Sequence, residues 1–247
     1  MINGFRVKLI VGFIAVVSMI SLSMIGLLSL LKIEVNPAIP SAFALIVTTL
    51  LAVYRRTSHR SRGSEEKVRP PKTFETPRLR LRPPDMNDAE EIFLGYAKDP
   101  EVTKYLTWRP HQDINTTREF LRRCIRDWER GTTFSWVIER KEDGRVLGMV
   151  ELGINAHRAY LGYVLARPYW NQGYTTEAVR EVAEWALEQP TIYRVWAVCD
   201  VENLASARVL EKLGMQREGI LRRFIVHPNI SEKPRDCYCY SKVTPPG

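Results

Sequence analysis

The chain has 247 residues, enough for one domain of ordinary size plus an appendage. Its net charge of +8 is unevenly placed: from residue 83 onward, 23 basic side chains meet 24 acidic ones, so the excess lies upstream. A near-neutral downstream part argues against a general nucleic-acid-binding face, which needs clustered Lys and Arg on the fold, and the four cysteines have neither CxxC pairing nor zinc-site spacing, so no metal is expected.

Residues 9–31 form an uncharged, mostly apolar run long enough to cross a bilayer as a helix. A second uncharged run, 35–54, carries Asn36, Pro37 and Pro40 at its start, where a helix tolerates them. The first run is too long for the apolar region of a signal peptide, and a second one follows it. Residues 1–54 are therefore expected to be a transmembrane hairpin with the lipid bilayer as a partner. Arg6 and Lys8 precede it, and Arg55, Arg56, Arg60 and Arg62 follow. The positive-inside rule then puts both termini and the downstream domain in the cytoplasm, as a two-pass membrane protein.

Residues 55–73 read as a basic juxtamembrane linker, extended or disordered, and 74–247 as the folded domain. Arg78-Leu79-Arg80-Leu81-Arg82 alternates strictly, which predicts a strand with its arginines on a wet face. Asp85 or Asp88 can cap a helix carrying Ala89, Ile92, Phe93 and Tyr96. A second helix is predicted over about 116–129, with Gly131 placed as its C-cap. Strands over 134–138 and 146–152 follow, joined by a hairpin turn at Glu142-Asp143-Gly144. Two more strands, about 216–226 and 237–243, close the chain after Gly214. The expected class is α+β: a mixed, mainly antiparallel sheet with flanking helices, preceded by two transmembrane helices.

Between these halves lies the most specific pattern. An apolar strand, 160–165, runs into Tyr169-Trp170-Asn171-Gln172-Gly173-Tyr174-Thr175-Thr176-Glu177-Ala178, and an amphipathic helix runs out. A short glycine turn at a helix start leaves backbone N–H groups free at the positive end of the dipole, which suits a phosphate. A further strand, 193–199, leads to Asn203-Leu204-Ala205-Ser206 and Val209-Leu210-Glu211-Lys212-Leu213-Gly214-Met215. From about Phe74 to Val243 the chain resembles the GNAT superfamily of N-acetyltransferases, and within it the branch of ribosomal-protein N-terminal acetyltransferases.

The resemblance implies the GNAT fold and acetyl-CoA as cosubstrate, lying between the fourth and fifth of the predicted strands. It implies that the pantetheine arm pairs with Val164 and Leu165, as an added strand. It places the pyrophosphate on Asn171, Gln172, Gly173, Tyr174 and Thr175, with Thr176 near the helix start. Asn203 would both cap its helix and face the cofactor. Asn171 and Thr175 depart from the family's small residues, and Asn tolerates the positive φ a glycine would adopt.

The tyrosine that many relatives use as the acid corresponds here to Leu210, so the implied acid is Ser206, with helix packing as its other reading. Glu151, a carboxylate inside an apolar strand, is the candidate base, against a structural salt bridge or an ordered water. Tyr160 stands where relatives often carry glutamate. His227 and His111 read as loop residues. Trp108, Arg109 and Arg222, with Tyr105, His111, Arg223 and Phe224, are expected to contact the acceptor. The expected function is acetyl transfer to a primary amine, a protein N-terminus or a small molecule. The alternative is a non-catalytic acyl-CoA-binding sensor or scaffold at the membrane.

Overall fold

The computed structural model describes residues 68–244. Both apolar runs on which the transmembrane hairpin rested, and most of the basic linker, lie outside the described residues. Among the described residues no helix is long and apolar enough to cross a membrane. The longest, Ile114–Arg130, has 17 residues and carries polar side chains along its outer face, whereas a span needs about 20 apolar residues. The two-pass membrane placement is corrected accordingly and carries no further weight here.

The end of the linker lies against the domain. Val68 packs on the core, Arg69 donates to the carbonyl oxygens of Trp128 and Glu129 at 3.4 and 3.0 Å, and Lys72 O accepts from Trp136 Nε1 at 3.1 Å.

Strands β1 (Phe74–Glu75) and β2 (Leu79–Arg82) are followed by helices α1 (Ala89–Ile92), α2 (Pro100–Thr103) and α3 (Ile114–Arg130). Strands β3 (Thr133–Arg140), β4 (Val146–Asn155) and β5 (Arg158–Leu165) form a meander. Helix α4 (Tyr174–Glu188), strand β6 (Arg194–Asp200), helix α5 (Leu204–Lys212) and the pair β7 (Gln216–Ile225) and β8 (Arg235–Val243) complete the domain. The sheet order is β1-β2-β3-β4-β5-β6-β8-β7. All its pairs are antiparallel except β5 with β6. The mixed, mainly antiparallel sheet expected from the sequence is present.

Helices cover both faces. Ala178, Val179, Val182 and Ala186 of α4, with Ala207 and Leu210 of α5, pack in one apolar cluster. Ala89, Ile92, Leu121 and Cys124 of α1 and α3 pack against Val137 and Met149 in the other. The predicted second helix is longer by two residues at its start because Asp113 caps it, accepting from Asn115 N and Thr116 N. Gly131 ends it at φ 65°, as its placement predicted. The predicted first helix is not uniform: after α1, Phe93–Ala97 winds as a π-helix, a variant that recurs near functional sites.

The pairing of β5 positions the site. Strand β5 pairs with β4 along its whole length, but with β6 only over Arg158–Tyr160. Beyond Tyr160 and Trp196 the two parallel strands part, while β6 stays bound to β8. The sheet therefore splits between residues 161–165 and 197–200.

The expected alternation is present, with Leu79 and Leu81 buried and Arg78 and Arg80 exposed, but two of the arginines also have structural partners. Arg82 is buried enough to bridge Asp88 and Glu139, both at 2.7 Å. Arg78 turns to the glycine turn before α4. Arg80 is exposed as well, with a long 3.5 Å contact to Glu75.

Candidate active site

The turn between β5 and α4 is held by local bonds. Trp170 Nε1 donates to Leu165 O at 2.7 Å and Gln172 Nε2 to Pro168 O at 2.9 Å. Asn171 adopts φ 61° and Gly173 φ 82°. Asn is among the few residues that accept this region readily, so the turn keeps its shape without a glycine at 171. No side chain caps α4, so the first N–H groups of the helix, from Tyr174, Thr175 and Thr176, have no intrahelical acceptor.

The turn is also tied to β2. Glu177, in the first turn of α4, accepts from Thr76 Oγ1 at 2.6 Å, Arg78 N at 3.0 Å and Arg78 Nε at 2.7 Å. Arg78 also donates to Gln172 O at 3.1 Å and lies over the Tyr174 ring at 4.3 Å. Burial opposes the charge of Glu177, but the bonds from Thr76 and Arg78 outweigh it and hold its pKa below the usual carboxylate range. Sequence reading missed this brace, because Arg78 and Glu177 are 99 positions apart.

A cavity of about 380 Å³ occupies the split in the sheet, bordered by Glu151, Tyr163, Asn203 and Ser206 among others. Side chains reach it from both faces. Glu151 lies on β4 opposite Gly162 and Ser135. Burial raises its pKa, against a smaller opposite effect from Tyr160, whose hydroxyl donates to Glu151 Oε1 at 3.1 Å. Among the described residues no cation lies in salt-bridge range of Glu151, so the structural ion pair is not formed. The Tyr160 ring reaches Glu151 by crossing Gly153, where an added Cβ would fall 1.9 Å from the ring. A carboxylate so placed can take a proton from a neighbouring amine.

From the other side, Asn203 caps α5, its Oδ1 accepting from Ser206 N at 3.1 Å. Ser206 Oγ shares a 2.7 Å hydrogen bond with the Tyr163 hydroxyl, which is also 3.2 Å from Ser206 O. Burial pushes the pKa of Tyr163 well above its ordinary value, with Ser206 acting the other way. The phenol therefore stays protonated. Leu210 is fully buried in the core. Cys199, also on the wall, has its thiol pushed up to about 11 by burial, so it is an unreactive thiol at neutral pH.

The ladder corrects one assignment. Ala166 N donates to Leu147 O at 2.7 Å, and in an antiparallel pair such bonding residues alternate. Val164, opposite Met149, therefore spends its N–H and C=O on β4. The backbone groups facing the split belong to Leu161, Tyr163 and Leu165, and the Leu165 carbonyl is taken by Trp170. Sequence alone left this parity open, since a one-residue shift reverses it.

The acceptor-side residues separate. Trp108 borders the cavity and lies 4.9 Å from the His111 ring. His111 Nδ1 is 2.8 Å from Thr117 Oγ1. Arg109 is a brace: it pairs with Glu232 and donates to Pro228 O at 3.0 Å. Arg222, exposed on β7, does not border the cavity. Strand alternation and the left-handed kink at Arg223 (φ 48°) leave Ile225 and His227 to border it instead.

His227 lies in the loop after β7, as the sequence suggested, but it is buried. Its Nε2 is 3.7 Å from Asp200 Oδ2, and Nδ1 has no partner in the structure. Tyr96, in the π-helix, is likewise buried with an unpartnered hydroxyl and borders the same cavity. The proline-flanked loop around His227 gave no such signal. Among the described residues no group of three or more ligating side chains could hold a metal.

A split sheet, a cleft with free strand groups, and an uncapped helix beyond a left-handed turn define the acyltransferase class that takes its acyl group from coenzyme A. Residues 78–216 match the family model described as "Acetyltransferase (GNAT) domain". The chain belongs to the GNAT acetyltransferases, and it is an acetyl-CoA-dependent acyltransferase. It is 30% identical over 175 residues to the uncharacterized N-acetyltransferase YoaA of Bacillus subtilis, covering 70% of this chain and 97% of that one. Its fold is similar to that of the microcin C7 self-immunity acetyltransferase MccE, solved with acetyl-CoA and AMP: TM-score 0.64, 23% identity, 71% of this chain and 98% of that one. It is also similar to that of a putative ribosomal-protein-serine acetyltransferase from Vibrio cholerae: TM-score 0.63, 21% identity, 72% of this chain and all of that one.

Proposed function

We propose that this chain transfers the acetyl group of acetyl-CoA directly to a primary amine, with Glu151 as proton acceptor and Ser206 as the group that meets the leaving sulfur. The observation carrying this is that Glu151 and the Tyr163–Ser206 pair enter one cavity from opposite faces of the split sheet. The N–H groups of residues 171–176 would hold the pyrophosphate, and the backbone of Leu161 and Tyr163 would pair with the pantetheine arm.

Acetyl-CoA supplies an activated acyl carbon on a thiol leaving group. An amine attacks that carbon, a C–N bond forms and the C–S bond breaks. The surplus proton on nitrogen passes to Glu151, whose raised pKa brings it closer to neutrality. Tyr163, kept protonated, shares a hydrogen bond with Ser206 Oγ; when the phenol is the donor in that bond, the serine hydrogen is free to point at the sulfur. Thiolates are good leaving groups near neutral pH, so a hydrogen bond there suffices. This arrangement answers the missing tyrosine at Leu210 and favours an enzyme over a sensor. A ribosomal-protein N-terminus is one acceptor consistent with the neighbour from Vibrio cholerae; a small amine is the other.

The test is release of free thiol from acetyl-CoA over a panel of amines, comparing wild type with Glu151→Gln. General-base catalysis is worth about 100-fold or more, so kcat should fall that far while acetyl-CoA affinity holds. Turnover of the variant within about twofold of wild type would remove Glu151 from the mechanism.

A further inference from the structure

Beside the cavity, on the α3 face of the sheet, a groove of about 610 Å³ runs between the Trp108–Gln112 loop and the outer side of α3. Four arginines border it (Arg109, Arg122, Arg123 and Arg126) against one carboxylate, Glu119. Arg109 is neutralised by Glu232. Arg122, Arg123 and Arg126, within about one helical turn, make no ion pair among the described residues.

All three are exposed, as on a solvated helix face, which would explain unpaired arginines on a convex surface. Here they border a concavity with an aromatic floor: His111 lies against Trp108, and the Arg123 guanidinium sits 5.6 Å from the Phe120 ring centroid. The groove is also continuous with the cavity, since Trp108, Phe120 and Arg123 border both. The cluster is a local excess within residues 83–247, where 23 basic side chains meet 24 acidic ones. It is not placed for the cofactor's phosphates, because the turn at 171–176 leads into α4, which packs on the opposite face of the sheet from α3.

We infer that the acceptor is a primary amine carrying an anionic group, a phosphate monoester or a carboxylate, which Arg122, Arg123 and Arg126 bind while the amine reaches Glu151. The inference rests on the catalytic reading above for the position of the amine. Guanidinium groups match both anions through paired N–H donors, and a partly enclosed groove screens the attraction less than open surface does.

The experiment uses the full chain and a matched series: 3-aminopropanol, 3-aminopropyl phosphate and 4-aminobutyrate. Turnover is measured together with direct binding to the CoA-loaded enzyme. The charged amines should exceed the alcohol by about tenfold in kcat/KM or affinity, a preference that shrinks as salt is raised. Arg122→Gln combined with Arg126→Gln should remove most of that ratio. The phosphate and carboxylate arms identify which anion the groove prefers. Equal affinity for the neutral and charged members, acetylated or not, would overturn the proposal. So would an equal loss for all three amines, or a matching rise in KM for acetyl-CoA. Full turnover in Glu151→Gln would sink the catalytic reading alone, leaving the charge preference to be judged by binding.

Discussion

The two sides of the cleft are built in different ways. The side proposed for the donor is backbone: a left-handed turn, an uncapped helix and free strand edges, drawn from one continuous stretch, residues 161–176. The side proposed for the acceptor is side chains from four separated segments, Tyr96 in the π-helix, Trp108 in a loop, Arg123 on α3 and His227 beyond β7, gathered round one cavity only by folding. A backbone site tolerates side-chain change but not a change of φ. A side-chain site is the reverse, which lets one fold keep its cosubstrate while its acceptor varies.

That contrast can be broken most sharply at Gly173. Proline fixes φ near −65° where the turn needs +82° and removes an N–H, so Gly173→Pro should weaken acetyl-CoA binding by at least about 100-fold. Calorimetry with CoA checks it; retained affinity would show that the turn is not the anion site.

Next in size is pH dependence. Glu151 must be ionised to accept a proton, and its pKa is raised. The acid limb of kcat/KM should therefore fall above the ordinary glutamate value of about 4.3, and the Glu151→Gln variant should lose that limb along with its rate. Between the two faces stands Tyr163. Removing its hydroxyl in Tyr163→Phe should lower kcat about fivefold to tenfold, the worth of one buried hydrogen bond. Ser206→Ala should do the same, and the double variant should add little more, with KM for acetyl-CoA unmoved.

The smallest effect tests the brace. Glu177 has a depressed pKa in the folded state, so its contribution to stability is complete above the unfolded value and is lost as pH falls through the folded one. Urea midpoints of wild type and Glu177→Gln should converge below about pH 4, as the native carboxylate protonates. A constant gap down to strongly acid pH would mean that the carboxylate's charge is not what holds the turn.

Local chemistry made much of this readable in the chain. Alternation at Leu79 and Leu81, the glycine after α3, the Asn203 cap and the turn at 171–173 each depend on neighbours in sequence, so their residue types carry the information. The family followed from the order of two such motifs. The partners of Arg78, Arg82 and His227 were not readable because each lies far along the chain: Glu177, Glu139 and Asp200. Val164 failed for another reason, since the parity of a ladder depends on its register with β4.

The sequence by itself thus determined the class of enzyme and the position of the left-handed turn before α4, because short-range backbone geometry is written in consecutive side chains. The tertiary structure alone decided where β5 and β6 part, which strand groups face that split, and that Tyr163 reaches Ser206. It alone put beside the cavity three arginines that make no ion pair among the described residues. Those outcomes depend on pairings across tens of residues, and no local propensity specifies them.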